Sequence, residues 1–149
     1  MAGKSENPPP SLELPARSIS VLQKAEPSKF KWNNVGGDKL LVTQFGDSIA
    51  LEGSVDWSEL VQNIKYKLTL TVKLTGYHDI TLRMLAYPPF QQVLSATINL
   101  SPSGELKVLN GPEFQVTGPG LMKYYVIVVD NVPPDDELSI KGANVVPVV

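Results

Sequence analysis

Residues 64–74 read Ile64-Lys65-Tyr66-Lys67-Leu68-Thr69-Leu70-Thr71-Val72-Lys73-Leu74. Every even-numbered position is apolar, and every odd-numbered position is lysine or threonine. This period of two predicts a long β-strand with one face against a core and the other in water. A helix would spread the same apolar side chains around its axis and would bury lysines. The stretch therefore indicates a β-sheet protein with a half-buried central strand.

The remaining chain predicts further short strands separated by turns. Thirteen prolines and eleven glycines in 149 residues favour many turns and few helices. Ile80–Ala86 and Leu94–Leu100 repeat the alternation, whereas Met122–Val129 is apolar on both faces. Such a run is typical of a strand that is covered on both sides. About ten short strands at this spacing predict an antiparallel β-sandwich.

Two turns predict hairpins between consecutive strands. Phe45-Gly46-Asp47 separates Leu40–Thr43 from Ile49–Leu51, and we expect these two segments to pair through it. Ser101-Pro102-Ser103-Gly104 has proline second and glycine last, which suits a type I turn. We expect the strand that begins at Leu106 to return along the preceding strand through this turn.

The overall composition is that of one globular domain. Apolar residues make up 42% and charged residues 19%, which is ordinary for a soluble protein with a core of its own. The formal net charge of −2 gives no electrostatic basis for binding nucleic acid. No apolar run approaches the roughly 20 residues of a membrane span, and the N-terminus lacks the apolar region of a signal peptide. We expect neither a nucleic acid nor a membrane as partner.

Residues 1–17 form a predicted extended arm, and residues 18–149 form the predicted β-sandwich domain. Three consecutive prolines in the arm favour a stiff polyproline II segment, and two leucines follow in an extended stretch. Alone, the arm cannot bury enough apolar surface to become ordered. It is therefore either a disordered tail or a segment that binds a partner surface. The candidate partner-binding residues are Pro8, Pro9, Pro10, Leu12 and Leu14.

The polar residues do not form a recognisable catalytic or metal-binding motif. His78, the only histidine, lies in a predicted turn, and no Gly-x-Ser-x-Gly nucleophile motif occurs. Asp135, Asp136 and Glu137 could offer oxygen ligands to calcium, but they lack the alternating spacing of an EF-hand loop, which favours a solvated turn. With no cysteine, disulfides and thiolate metal sites are excluded. We predict a non-enzymatic protein without catalytic residues, metal or cofactor.

Several aromatic residues lie near the ends of predicted strands. An exposed aromatic ring with polar groups nearby is a common surface for stacking a sugar. The alternative is that the two tryptophans plug the ends of the sandwich, since large aromatic side chains are mostly buried. The candidate glycan-binding residues are Trp32, Trp57, Tyr77 and Tyr87.

The order of these patterns over residues 30–149 resembles the carbohydrate-binding-module-like, or galactose-binding-like, jelly-roll β-sandwich. In that family an early aromatic strand precedes a glycine-rich turn, as Phe30 to Gly37 does here. The further matching positions are Trp57, Leu60 and Gln62, then Tyr66, Leu68 and Val72, and finally Leu138, Ile140, Gly142 and Ala143. The resemblance implies a jelly-roll-like fold. Such modules occur attached to glycoside hydrolases, and similar ones occur in tailed-phage structural proteins.

Two functions follow from the arm and the resemblance. The first is a virion structural protein, a capsid decoration or cement protein, whose arm attaches to a major capsid protein or another lattice on the virion surface. A homo-oligomer such as a trimer is compatible with this role. The alternative is a secreted, extracellular carbohydrate-binding module that stacks surface glycans on exposed aromatic rings. Fold alone does not decide between them.

Overall fold

The computed structural model describes residues 11–15, 18–21, 30–33, 39–43, 49–128 and 137–148, which form two antiparallel β-sheets packed as a sandwich. The predicted all-β sandwich is confirmed. The strands are β1 (Leu12–Pro15), β2 (Ser20–Val21), β3 (Phe30–Asn33), β4 (Lys39–Thr43), β5 (Ile49–Asp56), β6 (Lys65–Thr75), β7 (Ile80–Tyr87), β8 (Leu94–Leu100), β9 (Leu106–Gln115), β10 (Leu121–Val128) and β11 (Glu137–Pro147). The six-stranded sheet has the order β3-β4-β11-β6-β9, with β1 also paired to β11. The five-stranded sheet has the order β2-β5-β10-β7-β8.

Strand β6 is the predicted long strand, and its alternation is confirmed. The even-numbered side chains from Tyr66 to Leu74 are buried, whereas most odd-numbered ones reach the outer face. Thr69 is the exception, since it is buried and its hydroxyl donates a hydrogen bond to the carbonyl of Asn144 on β11. Both edges of β6 are paired, one with β11 and one with β9. The six-stranded sheet is therefore built on both sides of this strand.

The core lies between the inner faces of the two sheets. Leu68 and Leu70 on β6 belong to the same buried cluster as Leu82 and Met84 on β7. The sheets approach closely enough that a Cβ atom on Gly111 of β9 would lie 2.7 Å from the terminal methyl carbon of Met84. Each fully buried side chain of this kind stabilises the fold by about 1.5–3 kcal/mol relative to exposure. This burial holds the two sheets together.

One end of the sandwich is closed by three stacked aromatic rings. Trp57 begins a single 3-10 turn, Trp57–Glu59, after β5. Its ring lies 5.8 Å from that of Phe114 on β9, at an interplanar angle of 8°. Phe114 in turn stacks on Tyr66, at a centroid distance of 6.3 Å. The Asp56 carboxylate caps the turn by accepting a backbone hydrogen bond.

Both predicted hairpins are wrong. β4 pairs with β3 and β11 in the six-stranded sheet, whereas β5 belongs to the five-stranded sheet. Likewise β8 pairs with β7, whereas β9 crosses to the other sheet and pairs with β6. Turn residues indicate that the chain reverses direction, but they do not indicate whether the next strand belongs to the same sheet. In this sandwich the connections after β4 and β8 cross between sheets.

Part of the predicted arm belongs to the sandwich. In β1, Leu12 pairs with Val145 and Leu14 pairs with Ala143 of β11. The Leu14 side chain is only 7% exposed and lies in the core cluster. Leu14 is therefore used by the chain's own core and is not available as an anchor on a partner. Leu12 is only partly buried, so its binding to a partner stays a prediction. The three prolines at positions 8–10 lie outside the described residues.

Candidate binding site on the five-stranded sheet

Strand β10 carries apolar side chains on a face that meets solvent. On its inner face Met122, Tyr124, Val126 and Val128 are buried. On its outer face Tyr125 and Ile127 are only partly buried. The predicted cover on both faces of β10 is therefore not supplied within this one chain, and cover by a second subunit stays a prediction. Neighbouring apolar side chains that stay partly exposed on an outer sheet face are candidates for a binding surface.

The centre of this surface is a pair of tyrosines from neighbouring strands. Tyr125 on β10 and Tyr87 on β7 have ring centroids 5.4 Å apart and an interplanar angle of 87°. The register places Leu85 opposite Tyr125, and Tyr87 opposite Lys123, so the tyrosines are diagonal neighbours on one face. The edge-to-face contact favours this arrangement of the two rings by about 0.5–1.5 kcal/mol. Tyr87 remains 47% exposed, so its ring is accessible from solvent.

Charged groups on β5 and β10 flank the two rings. Glu52 on β5 lies opposite Tyr125 in the register. Hydrogen bonding to Glu52 raises the pKa of Tyr125, with smaller contributions from burial and from the negative charge of Glu52. The Lys123 ammonium lies 3.7 Å from the same carboxylate. Because the Lys123 side chain is half exposed, this ion pair adds little stability and mainly positions polar groups. We call Glu52, Tyr87, Lys123 and Tyr125 the tyrosine face.

A polar border adjoins the tyrosine face along β7 and β8. Arg83 is exposed two positions before Leu85 on the outer side of β7. It lies opposite Thr97 of β8 in the register. The hydroxyl of Thr81 donates a hydrogen bond to the Asn99 side-chain oxygen at 3.0 Å. An aromatic centre with a border of hydroxyl, amide and charged groups can contact both the apolar face and the hydroxyl groups of one ligand.

The structure separates the four sequence-predicted glycan-binding residues. Tyr87 belongs to the tyrosine face. Tyr77 is 83% exposed but lies in the turn before β7, at the end of that strand opposite to Tyr87. Seven residues of extended strand span about 23 Å, so the two tyrosines cannot stack on the same sugar ring. Trp32 lies in β3, and its side chain is outside what the structure describes.

The prediction that Trp57 stacks on a glycan is wrong. Its side chain is 1% exposed, and Phe114 covers one face of the ring. Its backbone N–H also donates a hydrogen bond of 2.8 Å to the carbonyl of Gly120. Trp57 therefore closes the end of the sandwich, which was the alternative for the tryptophans.

The residues considered for catalysis or metal binding do not form a centre in the described part of the chain. His78 is exposed in the turn before β7. Asp135 and Asp136 lie outside the described residues, as does the side chain of Glu137. Within the described ranges, no three His, Cys, Asp or Glu side chains are grouped to hold a metal ion. No helix in those ranges is long and apolar enough to cross a lipid bilayer.

A groove of about 570 Å³ opens on the other sheet, beside β1 and β11. Its lining includes Glu13, Thr71, Leu106, Lys141 and Asn144. It contains no aromatic ring, and its polar groups come from ordinary outward positions of three strands. The tyrosine face has fixed aromatic rings beside charged groups, so it is the better candidate site.

Sequence reasoning missed Tyr125, Glu52 and Lys123. A signal for Tyr125 was present, since the run Met122–Val129 is apolar at positions that an alternating strand would make polar. In an antiparallel sandwich, each sheet has one face exposed to solvent. An apolar run of this kind therefore indicates either an apolar surface patch or a strand that is covered on both faces. Glu52 and Lys123 gave no signal, because they are 71 positions apart in the sequence and are close only because β5 pairs with β10.

Solved structures with a similar fold include carbohydrate-binding modules. The CBM22-1 xylan-binding domain of Xyn10C from Paenibacillus barcinonensis matches with a TM-score of 0.60 and 12% identity, covering 93% of this chain and 92% of its own. The C-terminal CBM6 of LamC, a marine laminarinase from Zobellia galactanivorans, matches with a TM-score of 0.58 and 10% identity, over 92% and 99% of the two chains.

The same fold also occurs in a protein of another kind. The mosquito-larvicidal Cry4Aa toxin from Bacillus thuringiensis matches with a TM-score of 0.60 and 15% identity, over 93% of this chain and 24% of the toxin. No protein-family model and no curated protein matches the sequence. At these identities the likeness establishes a fold and leaves the ligand open. The chain therefore has the galactose-binding-like jelly-roll β-sandwich fold that carbohydrate-binding modules share.

Proposed function

We propose that this chain is a non-catalytic carbohydrate-binding module and that the tyrosine face binds the glycan. The observation that carries the proposal is the edge-to-face pair of Tyr87 and Tyr125, which keeps an accessible aromatic ring on an otherwise flat sheet face. A fixed ring loses little conformational entropy when a ligand stacks on it. The fold that the chain shares with carbohydrate-binding modules supports the proposal.

The polar groups around the rings fit the chemistry of a sugar. The C–H face of a pyranose ring is apolar and packs on an aromatic ring, while its hydroxyl groups point sideways. The carboxylate of Glu52 can accept hydrogen bonds from two hydroxyl groups, and the ammonium of Lys123 can donate to others. The Lys123 ammonium lies 3.7 Å from the Glu52 carboxylate, so both groups are next to the rings before a ligand binds. The face therefore offers stacking and hydrogen bonding side by side.

The proposal is tested by binding of the full chain to a panel of xylan, β-1,3-glucan and β-1,4-galactan, measured by affinity gel electrophoresis and by calorimetry. We expect retardation by at least one polysaccharide. Tyr87→Ala should weaken that binding by about tenfold or more, or about 1.4 kcal/mol, since it removes the accessible ring. Tyr87→Phe keeps the ring and should bind nearly as well as the unchanged protein.

Tyr77→Ala is the matched control, because Tyr77 is also an exposed tyrosine but lies at the far end of β7. It should leave binding unchanged. If no polysaccharide of the panel retards the unchanged protein, the proposed function is wrong. If binding occurs but Tyr87→Ala and Tyr125→Ala both retain full affinity, the glycan site lies elsewhere. Thermal unfolding of each variant confirms that the fold is intact.

The virion role stays a prediction from the sequence alone. It depended on an arm whose leucines anchor a neighbouring subunit, and both leucines lie in β1 of the chain's own sheet. No observation within the described residues favours a capsid partner or a trimer over a glycan. We therefore propose the carbohydrate-binding function only.

A further inference from the structure

The turn between β7 and β8 holds an aromatic residue in a conformation that suits glycine. The backbone N–H of Gln91 donates to the carbonyl of Pro88, which closes a four-residue turn. Pro89 occupies the second position, and Phe90 occupies the third with φ +59°. These are the features of a type II turn, whose third position favours glycine or asparagine. A side chain with a Cβ atom is strained there.

The other left-handed turn positions show the contrast. Asn63 has φ +66° and Gly104 has φ +71°, so each carries a residue type that tolerates this conformation. Phe90 is a large aromatic residue at an equivalent backbone angle. Its ring does not offset the strain by packing, because the side chain is fully exposed. Strained residues that make no packing contribution to the fold are found preferentially at binding sites.

The rest of the turn is anchored to the sandwich. The side-chain amide of Gln91 donates to the Gln115 carbonyl and to the Thr117 hydroxyl, both at 3.2 Å. Pro88 is buried. Pro89 packs against Gly120, where a Cβ atom would lie 2.8 Å from the proline ring. The turn thus presents the Phe90 ring to solvent from a fixed backbone.

Phe90 is close to the tyrosine face along the chain. It follows Tyr87 by three residues, so the two Cα atoms are at most about 11 Å apart. Leu121, which is more than half exposed, begins β10 on the outer face, two positions before Lys123. Three exposed apolar or aromatic side chains, those of Tyr87, Phe90 and Leu121, therefore lie at or near this end of the sheet.

We propose that Phe90 is a further glycan-stacking residue, which contacts a sugar of the same chain beyond the one on Tyr87. This inference rests on the proposed function and deepens it, because it makes the site specific for longer oligosaccharides. A disaccharide fills the tyrosine face alone, whereas a hexasaccharide also reaches Phe90. The strained turn is the structural feature that places this second ring.

The test compares the unchanged protein with Phe90→Asn, Phe90→Gly and Tyr87→Ala by calorimetry. The probes are the di- and hexasaccharides of β-1,4-linked xylose, β-1,3-linked glucose and β-1,4-linked galactose. We expect Phe90→Asn to weaken hexasaccharide binding by about tenfold, equivalent to about 1.4 kcal/mol, and to leave disaccharide binding unchanged. Tyr87→Ala should weaken binding of both lengths.

Thermal unfolding separates a binding role from a structural one. Asparagine and glycine relieve the strain, so Phe90→Asn and Phe90→Gly should unfold at the same temperature as the unchanged protein or about 2–4 °C above it. A clear fall in the unfolding temperature would show that Phe90 stabilises the fold and would overturn the inference.

Two binding results distinguish this inference from the proposed function. If Tyr87→Ala loses affinity while both Phe90 variants bind the hexasaccharide normally, the inference is wrong and the proposed function stands. If the unchanged protein binds none of the oligosaccharides, both are wrong.

Discussion

The buried hydroxyl of Tyr124 makes a prediction that can be worked through from the structure. Tyr124 lies on the inner face of β10, and its ring packs over Gly53 of β5. Its hydroxyl oxygen is buried and has no hydrogen-bond partner among the described residues. A buried hydroxyl without a partner costs about 1–3 kcal/mol of stability. Tyr124→Phe removes that oxygen and leaves the ring in place.

The expected increase in the free energy of unfolding is the cost of burying the unpaired hydroxyl minus a small loss of packing where the oxygen was. Removing one oxygen leaves a void on the order of 10 Å³, which costs about 0.2–0.3 kcal/mol. Tyr124→Phe should therefore raise the free energy of unfolding at pH 7 by about 1–2 kcal/mol. For a chain of this length each kcal/mol raises the melting temperature by about 2–4 °C. Urea unfolding followed by the fluorescence of the two tryptophans, one of which is the buried Trp57, measures the change.

The same variant should alter the response to alkaline pH. Burial raises the pKa of Tyr124 above its ordinary value near 10. Below about pH 10 the Tyr124 hydroxyl is protonated in both the folded and the unfolded chain. In that range the free energy of unfolding does not depend on pH through this group. Above that pH the unfolded chain releases the proton while the folded chain keeps it, so stability falls by about 1.4 kcal/mol per pH unit. Phenylalanine cannot titrate, so the variant should lack this part of the alkaline loss.

Tyr66→Phe is the matched control. Tyr66 is also a buried tyrosine of the core, but its hydroxyl accepts a hydrogen bond of 3.0 Å from the backbone N–H of Val61. Losing this bond should lower the free energy of unfolding by about 0.5–1.5 kcal/mol. If Tyr124→Phe is instead destabilised to the same degree, and loses as much stability at high pH as the unchanged protein, the reasoning about Tyr124 is refuted.

Two further predictions concern packing. Gly53→Ala should lower the free energy of unfolding by about 1–3 kcal/mol, because the new methyl group would overlap the ring of Tyr124; chemical denaturation measures this, and an unchanged midpoint would contradict the packing. Leu14→Ala should lower the free energy of unfolding by about 2–3 kcal/mol, since the side chain is 7% exposed within the core cluster. If chemical denaturation shows a decrease below about 0.5 kcal/mol, β1 is not part of the sandwich.

The sequence predicted the fold class because the relevant signal is local. Alternation over residues 64–74 indicates which side chains meet water, and β6 follows that pattern except at the buried Thr69. The pairing of strands is not local. The sequences at residues 45–47 and 101–104 predict hairpin turns, yet the strands on either side of each belong to different sheets. Only the competition among all strands for partners decides where a connection crosses.

The candidate site was only partly predictable for a related reason. Tyr87 could be identified as an aromatic residue near the end of a strand. Tyr125 is its partner only because β7 and β10 pair, although the chain between them contains two further strands. The strain at Phe90 is likewise invisible in the sequence, since Pro88-Pro89-Phe90 does not reveal the sign of φ. A site whose residues are brought together by strand register and backbone angle can be identified only from the structure.

The position of β11 has a consequence for synthesis on the ribosome. This strand lies between β4 and β6 and also pairs with β1, although it is the last described strand to be made. The five-stranded sheet has all its strands once residue 128 has emerged, whereas the six-stranded sheet still lacks the strand that joins its two halves. Until then β4 and β6 each present an unpaired edge, the kind of edge that recruits other nascent chains. The nascent chain therefore depends on chaperones, or on rapid synthesis of the segment from residue 129 to β11, until β11 can pair with both strands.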